Sequence, residues 1–549
     1  MNLHRMLRAR AAEGRPVRVG VIGAGKFGSM FLAMAARTPG LHVAGIADLS
    51  IPRAREALAR VGWPEERYAA PSLDAALGGT DGTALTEDAM ALMAEPRIEV
   101  VVECTGHPAA GLRHALAAIE HGKHVVMVNV EADVLAGPLL AERARRAGAV
   151  YSMAYGDQPA LVCELVDTIR TMGFPVVAAG KGTKYLPHFH ASTPETVWGH
   201  YGLSPEKARE GGMNPQMFNS FLDGTKSGIE MAAIANATGL APPSDGLGFP
   251  PCGTHDLPLV LRPREAGGVL ERSGQVEVVS SVERDGRQVQ GDLRWGVYAV
   301  FEGETDYIRR CFSEYGVHTD PSGRYAALWR PYHLIGLELG VSVASAALRK
   351  EPTGAAEAWR GDVVATAKRD LSAGEVLDGE GGAMVWGRCV PAARSLELGA
   401  LPIGLAHGFA LKRAVKAGGT VGWADVAFDA GSEAVRLRRE MEAEARATVR
   451  FETPPGRQMQ VDFGQCRVAV EDERGGEVRA RLFVATLGHS RRVFVRAFRH
   501  ERQSAWLEGV EEAFRHFGGV PAELLVDNAR ALVDRHDDAH LQRREGRKP

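Results

Sequence analysis

The stretch "PVRVGVIGAGKFGSM", residues 16–30, decides the fold of the first part of the chain. Residues 17–22 alternate and then run apolar, the pattern of a buried strand. Gly23, Gly25 and Gly28 follow in G-x-G-x-x-G spacing. Phe27, Met30, Phe31, Met34 and Ala35 then recur at helical spacing until "TPG" stops the helix. A second apolar strand, "LHVAGIAD", ends at Asp48. Each glycine has a physical task in this order. Gly23 permits the tight turn, Gly25 lets the backbone approach a pyrophosphate, and Gly28 lets helix and strand close on each other. The helix N-terminus then faces the phosphates. Asp48 stands 20 residues after Gly28, where a carboxylate binds the adenine ribose 2′-hydroxyl. That favours NAD, while Arg53 close by could meet a 2′-phosphate and leaves NADP open. The expected cofactor contacts here are Gly23, Gly25, Lys26, Phe27, Gly28 and Asp48.

The alternation of strand and helix continues. "RIEVVVECTG" reads as a buried strand ending at Glu103, Cys104, Thr105 and Gly106, which join the expected cofactor contacts. A helix with Leu112, Leu116 and Ile119 on one face follows, and "GKHVVMVNVEAD" reads as another strand. Strands alternating with helices imply a parallel, doubly wound α/β sheet whose strand ends line the nicotinamide crevice.

"VGVIGAGKFG", "VVECTG" and "GKHVVMVNVEAD" resemble the homoserine-dehydrogenase-like NAD(P)-dependent oxidoreductases. One position departs from that pattern: homoserine dehydrogenases usually carry lysine after the Asn of the last motif, and here Val130 follows Asn129. The closer resemblance is to bacterial oxidoreductases with an added SAF domain, over about residues 15–430. It implies hydride transfer to or from a small hydroxylated or aldehyde metabolite.

The middle of the chain should hold the chemistry. "MNPQMFNSFLDGTKSGIEMAAIANATGL" reads as a helix on which Asp223 and Lys226, three apart, share a face. "FLDGTKSGIEMA" is similar to the helix on which homoserine dehydrogenases place an Asp and a Lys. A lysine of lowered pKa in a closed site can move a proton at the substrate oxygen, and a carboxylate can orient it. Lys226 is the candidate for that role and Asp223 its orienter, with Lys181 and Lys184 as alternatives or substrate-anion binders. His188 and His190 alternate, so a strand would put them on one face. No third ligand accompanies them, which argues against a metal there.

From 361 the text changes to short strands joined by "DLSAGEVL" and "AVKAGGTV" turns. These halves resemble the SAF domain, read here as a lid, an oligomer contact or a passive appendage. Residues 431–450, "GSEAVRLRREMEAEARATVR", have the composition of a linker or a solvated helix.

The tail gives three strands, then a helix with Trp506, Leu507, Val510, Phe514 and Phe517 on one face, then the strand "AELLVDN". That is the order of an RNase-H-like core. "QVDFG", "FVATLGHSRR" and "LLVDNARALV" resemble the integrase core of DDE-type insertion-sequence transposases, over about residues 450–535. The resemblance implies that Asp462 and Asp527 are two ligands of a Mg²⁺ site. The family's third carboxylate lies further on than Pro549, so a truncated, inactive core is expected. The alternative function is DNA transposition or integration, with nucleic acid as a partner of the tail alone.

A chain of 549 residues is too long for one core, and about three or four domains is the expectation. The reading divides it into a dinucleotide-binding domain (1–155), a catalytic α+β domain (156–358), an SAF-like module (359–430), a linker (431–449) and the integrase-like tail (450–549). A net charge of -3 gives no whole-chain sign of nucleic-acid or membrane binding. The cysteines form no CxxC pair, which argues against a zinc knuckle or a disulfide framework. The basic N-terminus lacks the apolar run of a secretory signal, and no stretch is apolar enough to span a membrane. A cytoplasmic homo-oligomer with a small-molecule substrate is the expectation.

Overall fold

The structure is a computed structural model that describes residues 2–79, 81–447, 455–471, 477–490, 492–526, 533–537 and 540–543. The chain divides into two compact units, Met1–Ala445 and Arg446–Pro549.

The first unit opens with β1 (Val17–Ile22), β2 (Leu41–Ala47), β3 (Ala84–Thr86), β4 (Val100–Glu103), β5 (His124–Met127) and β6 (Tyr151–Met153). They form one parallel sheet in the order β3-β2-β1-β4-β5-β6. The strands are apolar on both faces because both faces are covered. Val19, Val21, Val100 and Val102 belong to one buried cluster, while Ile22 and Val101 belong to another on the far side. Strand order reverses between β1 and β4, and the ends of these two strands open the crevice at that switch point. "GKHVVMVNVEAD" is only partly strand. β5 stops at Met127, and Asn129 caps a helix from Val130 by accepting from the Ala132 N–H.

A second sheet holds β7 (Val176–Thr183), β8 (Gln275–Ser280), β9 (Val297–Glu302) and β10 (Tyr325–Arg330) in the order β10-β9-β7-β8. The helix Thr225–Thr238 is buried nearly all round, so it carries no polar stripe. Downstream, the Gly340–Arg349 helix returns to the first sheet, where Leu339, Val343 and Ala347 join the cluster of Val17 and Val19. By packing, that segment sides with the first sheet and not with the expected 156–358 domain. A boundary drawn along the sequence cannot show such a return.

The small β module has β11 (Gly361–Ala367), β12 (Val376–Asp378), β13 (Val385–Pro391), β14 (His407–Leu411) and β15 (Val426–Ala427). β11 pairs with β13, and β14 lies between β12 and β15. The charged stretch after it is neither a linker nor a solvated helix. The helix Glu433–Ala447 buries Ala434, Val435, Leu437 and Met441. Arg438 is wholly buried, paired with the equally buried Asp362 of β11 and with Glu442 one turn on. Its guanidinium also lies 4.6 Å from the centre of the Trp359 ring.

The second unit has β16 (Gln458–Glu471), β17 (Glu477–Leu487), β18 (Val493–Phe498) and β19 (Glu523–Val526) in the order β18-β17-β16-β19. Its core gathers Met459, Val461, Phe483, Ala485, Trp506 and Ala513. The helix Gln503–Phe517 sits close because Gly509 has no side chain. A Cβ there would stand 2.7 Å from the Phe483 ring. Val510, Phe514 and Phe517 pack on this core as expected, but Leu507 is 60% exposed and lies off that face.

Candidate active site

The glycine turn has the geometry its spacing predicts. Gly23 takes φ +93°, and a Cβ there would meet the Cys104 carbonyl oxygen at 3.0 Å. A Cβ on Gly28 would run into the Gly23 carbonyl, so this glycine is needed for the packing of helix on strand. Gly25 differs: nothing lies within 4 Å of where its Cβ would stand. It is the N-cap of the helix Lys26–Ala35, which has no side-chain cap. The open space above Gly25 and the uncapped helix start fit a pyrophosphate. Asp48 ends β2 beside this turn. Its carboxylate accepts from the Ala24 and Ser50 N–H groups at 2.9 Å each, and the Arg53 guanidinium stands 4.0 Å away.

A cavity of about 730 Å³ opens from this turn. Lys26, Phe27, Cys104 and Gly106 line it, so these four expected contacts do meet at one site. Glu103 and Thr105 turn to each other. The buried Glu103 carboxylate accepts from the Thr105 hydroxyl at 2.5 Å and contacts His114 Nδ1 at 3.1 Å. Burial pushes the Cys104 thiol pKa well up.

Lys226 lies in the wall of the same cavity, together with Glu131, Asp157, Glu230 and Glu380. Its ammonium donates to Glu131 at 2.5 Å. Burial opposes the charge, but Glu131, Glu230, Asp157 and Glu380 more than offset it, and the pKa rises above that of an ordinary lysine. The sequence reading expected the opposite direction. It could not see four carboxyl groups converging from separate elements.

Asp223 does not orient Lys226. The expected single helix breaks at Asp223 and Gly224, the latter at φ +92°, into Pro215–Leu222 and Thr225–Thr238. The buried Asp223 carboxylate pairs instead with Lys368 at 2.7 Å. Lys181 is buried and bonds Glu230 and, at 3.1 Å, the Gln158 amide oxygen, so it supports the cavity wall from behind. Lys184 donates to the His200 carbonyl at 2.7 Å, and burial lowers its pKa. His188 and His190 lie on the 3₁₀ turn Pro187–Ala191 and not on a strand. His190 stacks on Trp386 and bonds Tyr185 and the Asp223 carbonyl, which is a structural role. Among the described residues, no group of three or more His, Cys, Asp or Glu side chains is placed to hold a metal ion.

Two of the remaining carboxyls are held partly neutral. Burial first, and then Glu230, push Asp157 up to about 6. Burial first, and then Glu131, push Glu380 up to about 8. Sequence reasoning missed Glu131, Asp157, Glu230 and Glu380. Glu131 sits in the quoted "GKHVVMVNVEAD" and Glu230 one turn after Lys226 on its own helix, but only the fold brings Glu131, Asp157 and Glu380 to this lysine.

In the second unit Asp462 is exposed on β16 and accepts from the Phe463 N–H at 2.7 Å. Val461 pairs with Val526 at the end of β19. Asp527 lies outside the described residues.

A parallel sheet with a glycine turn at its switch point is the architecture of a dinucleotide-binding domain. Comparison with known families agrees and is more specific. Residues 20–152 match the family described as "Homoserine dehydrogenase, NAD binding domain", and residues 156–339 match "Oxidoreductase DRL, catalytic domain". Residues 452–545 match "Integrase core domain". The chain thus joins an NAD(P)-binding domain and an oxidoreductase catalytic domain to an integrase-core segment. The tail is 37% identical over 108 residues to the transposase of insertion sequence element IS640 from Shigella sonnei, which covers 20% of this chain and 33% of that one. It is 36% identical over 107 residues to the transposase of element IS21 from Pseudomonas aeruginosa, covering 20% and 26%. The chain therefore spans a third or less of the length of these transposases. A homoserine dehydrogenase structure from Thiobacillus denitrificans overlaps 41% of this chain and 49% of its own, at 19% identity and a TM-score of 0.30. That similarity is too low to decide anything. Among the described residues no helix is long and apolar enough to cross a membrane.

Proposed function

We propose that the Met1–Ala445 unit interconverts a hydroxyl and a carbonyl on a small metabolite, with Lys226 as the group that holds the reacting oxygen. The observation that carries this reading is the placement of Lys226 Nζ, on Glu131, in the cavity that the glycine turn opens. The nicotinamide, when bound, supplies or accepts the hydride. With its pKa raised, Lys226 stays an ammonium at neutral pH, so it polarises a carbonyl and stabilises an alkoxide instead of acting as a free base. Glu131 fixes the ammonium, and Lys181 holds Glu230 in place behind it. Asp48 supports NAD(H) over NADP(H), because its carboxylate would repel a 2′-phosphate. Replacing Lys226 with methionine should cut kcat by roughly 10²–10⁴-fold and leave NADH affinity intact, with partial recovery in Lys226→Arg. Turnover that survives Lys226→Met would remove this residue from the mechanism.

For the tail we propose no DNA transfer. The resemblance supplies two carboxylates, Asp462 and Asp527, and two-metal phosphoryl transfer needs enough of them to hold both ions.

A further inference from the structure

The β module forms part of the cavity wall, contributing Glu380, Leu405, His407 and Phe409. Glu380 comes from the 378–384 loop, which the catalytic domain grips at several points. The Gln216 amide donates to the Asp378 and Glu380 carbonyls at 2.9 and 2.8 Å. The Asn219 amide donates to the Gly381 carbonyl at 2.8 Å, and Lys368, the partner of Asp223, donates to the Gly382 carbonyl at 2.6 Å. The Asp378 carboxylate closes the loop on the Ala383 and Met384 N–H groups. Gly381, at φ +67°, presses so close to the Gln216 carbonyl that a Cβ could not be accommodated. A loop held this firmly presents its side chain in a fixed place.

The cavity's other carboxyls are engaged. Glu131 pairs with Lys226, Glu230 pairs with Lys181, and Asp157 caps the Gln158–Thr171 helix. Among the described residues Glu380 has no ion-pair partner; Ser220 lies near it, but its hydroxyl donates to the Met217 carbonyl at 2.9 Å. We propose that the β module is a working part of the active site, its 378–384 loop setting Glu380 as the acid that gives a proton to the oxygen held by Lys226. This rests on the oxidoreductase reading above. In the reducing direction the carbonyl carbon accepts hydride from the reduced nicotinamide. The oxygen accepts the Glu380 proton, and Glu380 is left as a carboxylate that water reprotonates. In the oxidising direction the same carboxylate takes the hydroxyl proton. The charged groups facing Glu380 are Glu131, Lys226 and Asp223. Burial, Glu131 and Asp223 favour its protonated form, while Lys226 and Ser220 oppose it.

Two readouts test the assignment on the full chain. The first is infrared titration of the protein without cofactor. A protonated-carboxyl band should fade as pH rises through about 8 and be missing in Glu380→Gln. The second is reduction of glyceraldehyde, glycolaldehyde and erythrose with NADH or NADPH. Glu380→Gln should lower kcat by roughly 10²-fold or more and leave NADH affinity unchanged. The wild-type fall in kcat above pH 8 should vanish in the variant. Gln216→Ala, which frees the loop, should lower kcat without removing the band. Wild-type kcat in Glu380→Gln, or a band that survives it and disappears in Asp157→Asn, overturns the assignment and leaves the oxidoreductase reading standing. If the wild-type protein reduces none of the aldehydes, that broader reading falls, and this assignment with it.

Discussion

Gly25→Val separates binding from folding at the glycine turn. Gly25 sits at φ −68°, ψ −160°, an extended conformation open to any residue, and nothing lies within 4 Å of its missing Cβ. A valine is therefore accommodated by the protein itself. Its cost to the fold is that of a poorer N-cap, about 0.5–1 kcal/mol. The branched side chain fills the space through which a pyrophosphate reaches the helix N-terminus. Crowding costs about 1–3 kcal/mol, and each lost hydrogen bond to a charged phosphate about 1.5–3 kcal/mol. The sum is at least about 2.5 kcal/mol, or roughly sixtyfold or more in Kd. Gly28→Ala reverses the pattern. Its Cβ meets the Gly23 carbonyl, a backbone atom that cannot swing aside, so the fold should lose about 1–3 kcal/mol or more. The assay is NADH fluorescence titration beside urea denaturation for each variant. Wild-type NADH affinity in Gly25→Val refutes the reasoning about the phosphate site. Wild-type stability in Gly28→Ala refutes the reasoning about close packing.

Two further outcomes are expected. Arg438→Ala leaves the buried Asp362 carboxylate without its partner and should destabilise the first unit by about 3–5 kcal/mol in urea melts; a loss under about 1 kcal/mol would mean the pair does not anchor the helix. Purified protein incubated with the transposon-end DNA and Mg²⁺ or Mn²⁺ should cut no strand, and cleavage that disappears in Asp462→Asn would restore the tail as a nuclease.

The first sheet was legible because its signals are local. Strand, glycines, helix and Asp48 occupy one continuous stretch, and each glycine's role follows from backbone geometry alone. The cavity beside the glycine turn was only half legible. Lys226, expected at the site, does line it, but most of its environment was not legible, because Glu131, Asp157 and Glu380 are spread over some 250 residues and meet it only in the fold. The same distance effect misassigned Asp223. Three residues from Lys226 in sequence suggests one helical face, yet Gly224 at positive φ ends the helix between them and turns Asp223 toward Lys368. Glu103 and Thr105 were expected at the cofactor because they end a strand at the switch point. In the structure Glu103 Oε1 takes the Thr105 hydroxyl and the His114 contact, while the buried Oε2 is left without a hydrogen-bond partner.

The charged helix Glu433–Ala447 shows why composition misleads at the junction of the two halves. Few large apolar residues and many charges read as solvated text, but Arg438 pairs inward with Asp362 and Glu442, while Glu440 and Glu433 reach Arg143 and Arg113 at the surface. A buried bidentate pair is neutral as a unit, so a helix can be rich in charge and still close a core. This helix ties the β module, through Asp362, to the first domain, through Arg113, Arg143 and the Leu135 carbonyl. Just before it Ser432, and within it Ala434, line the cavity that holds Lys226. The first turns of this helix therefore belong to the packing of the first unit. Every apolar cluster of the first unit is built from residues up to Met441, and the cluster of the second from Met459 onward. Among the described residues each unit therefore has apolar clusters of its own.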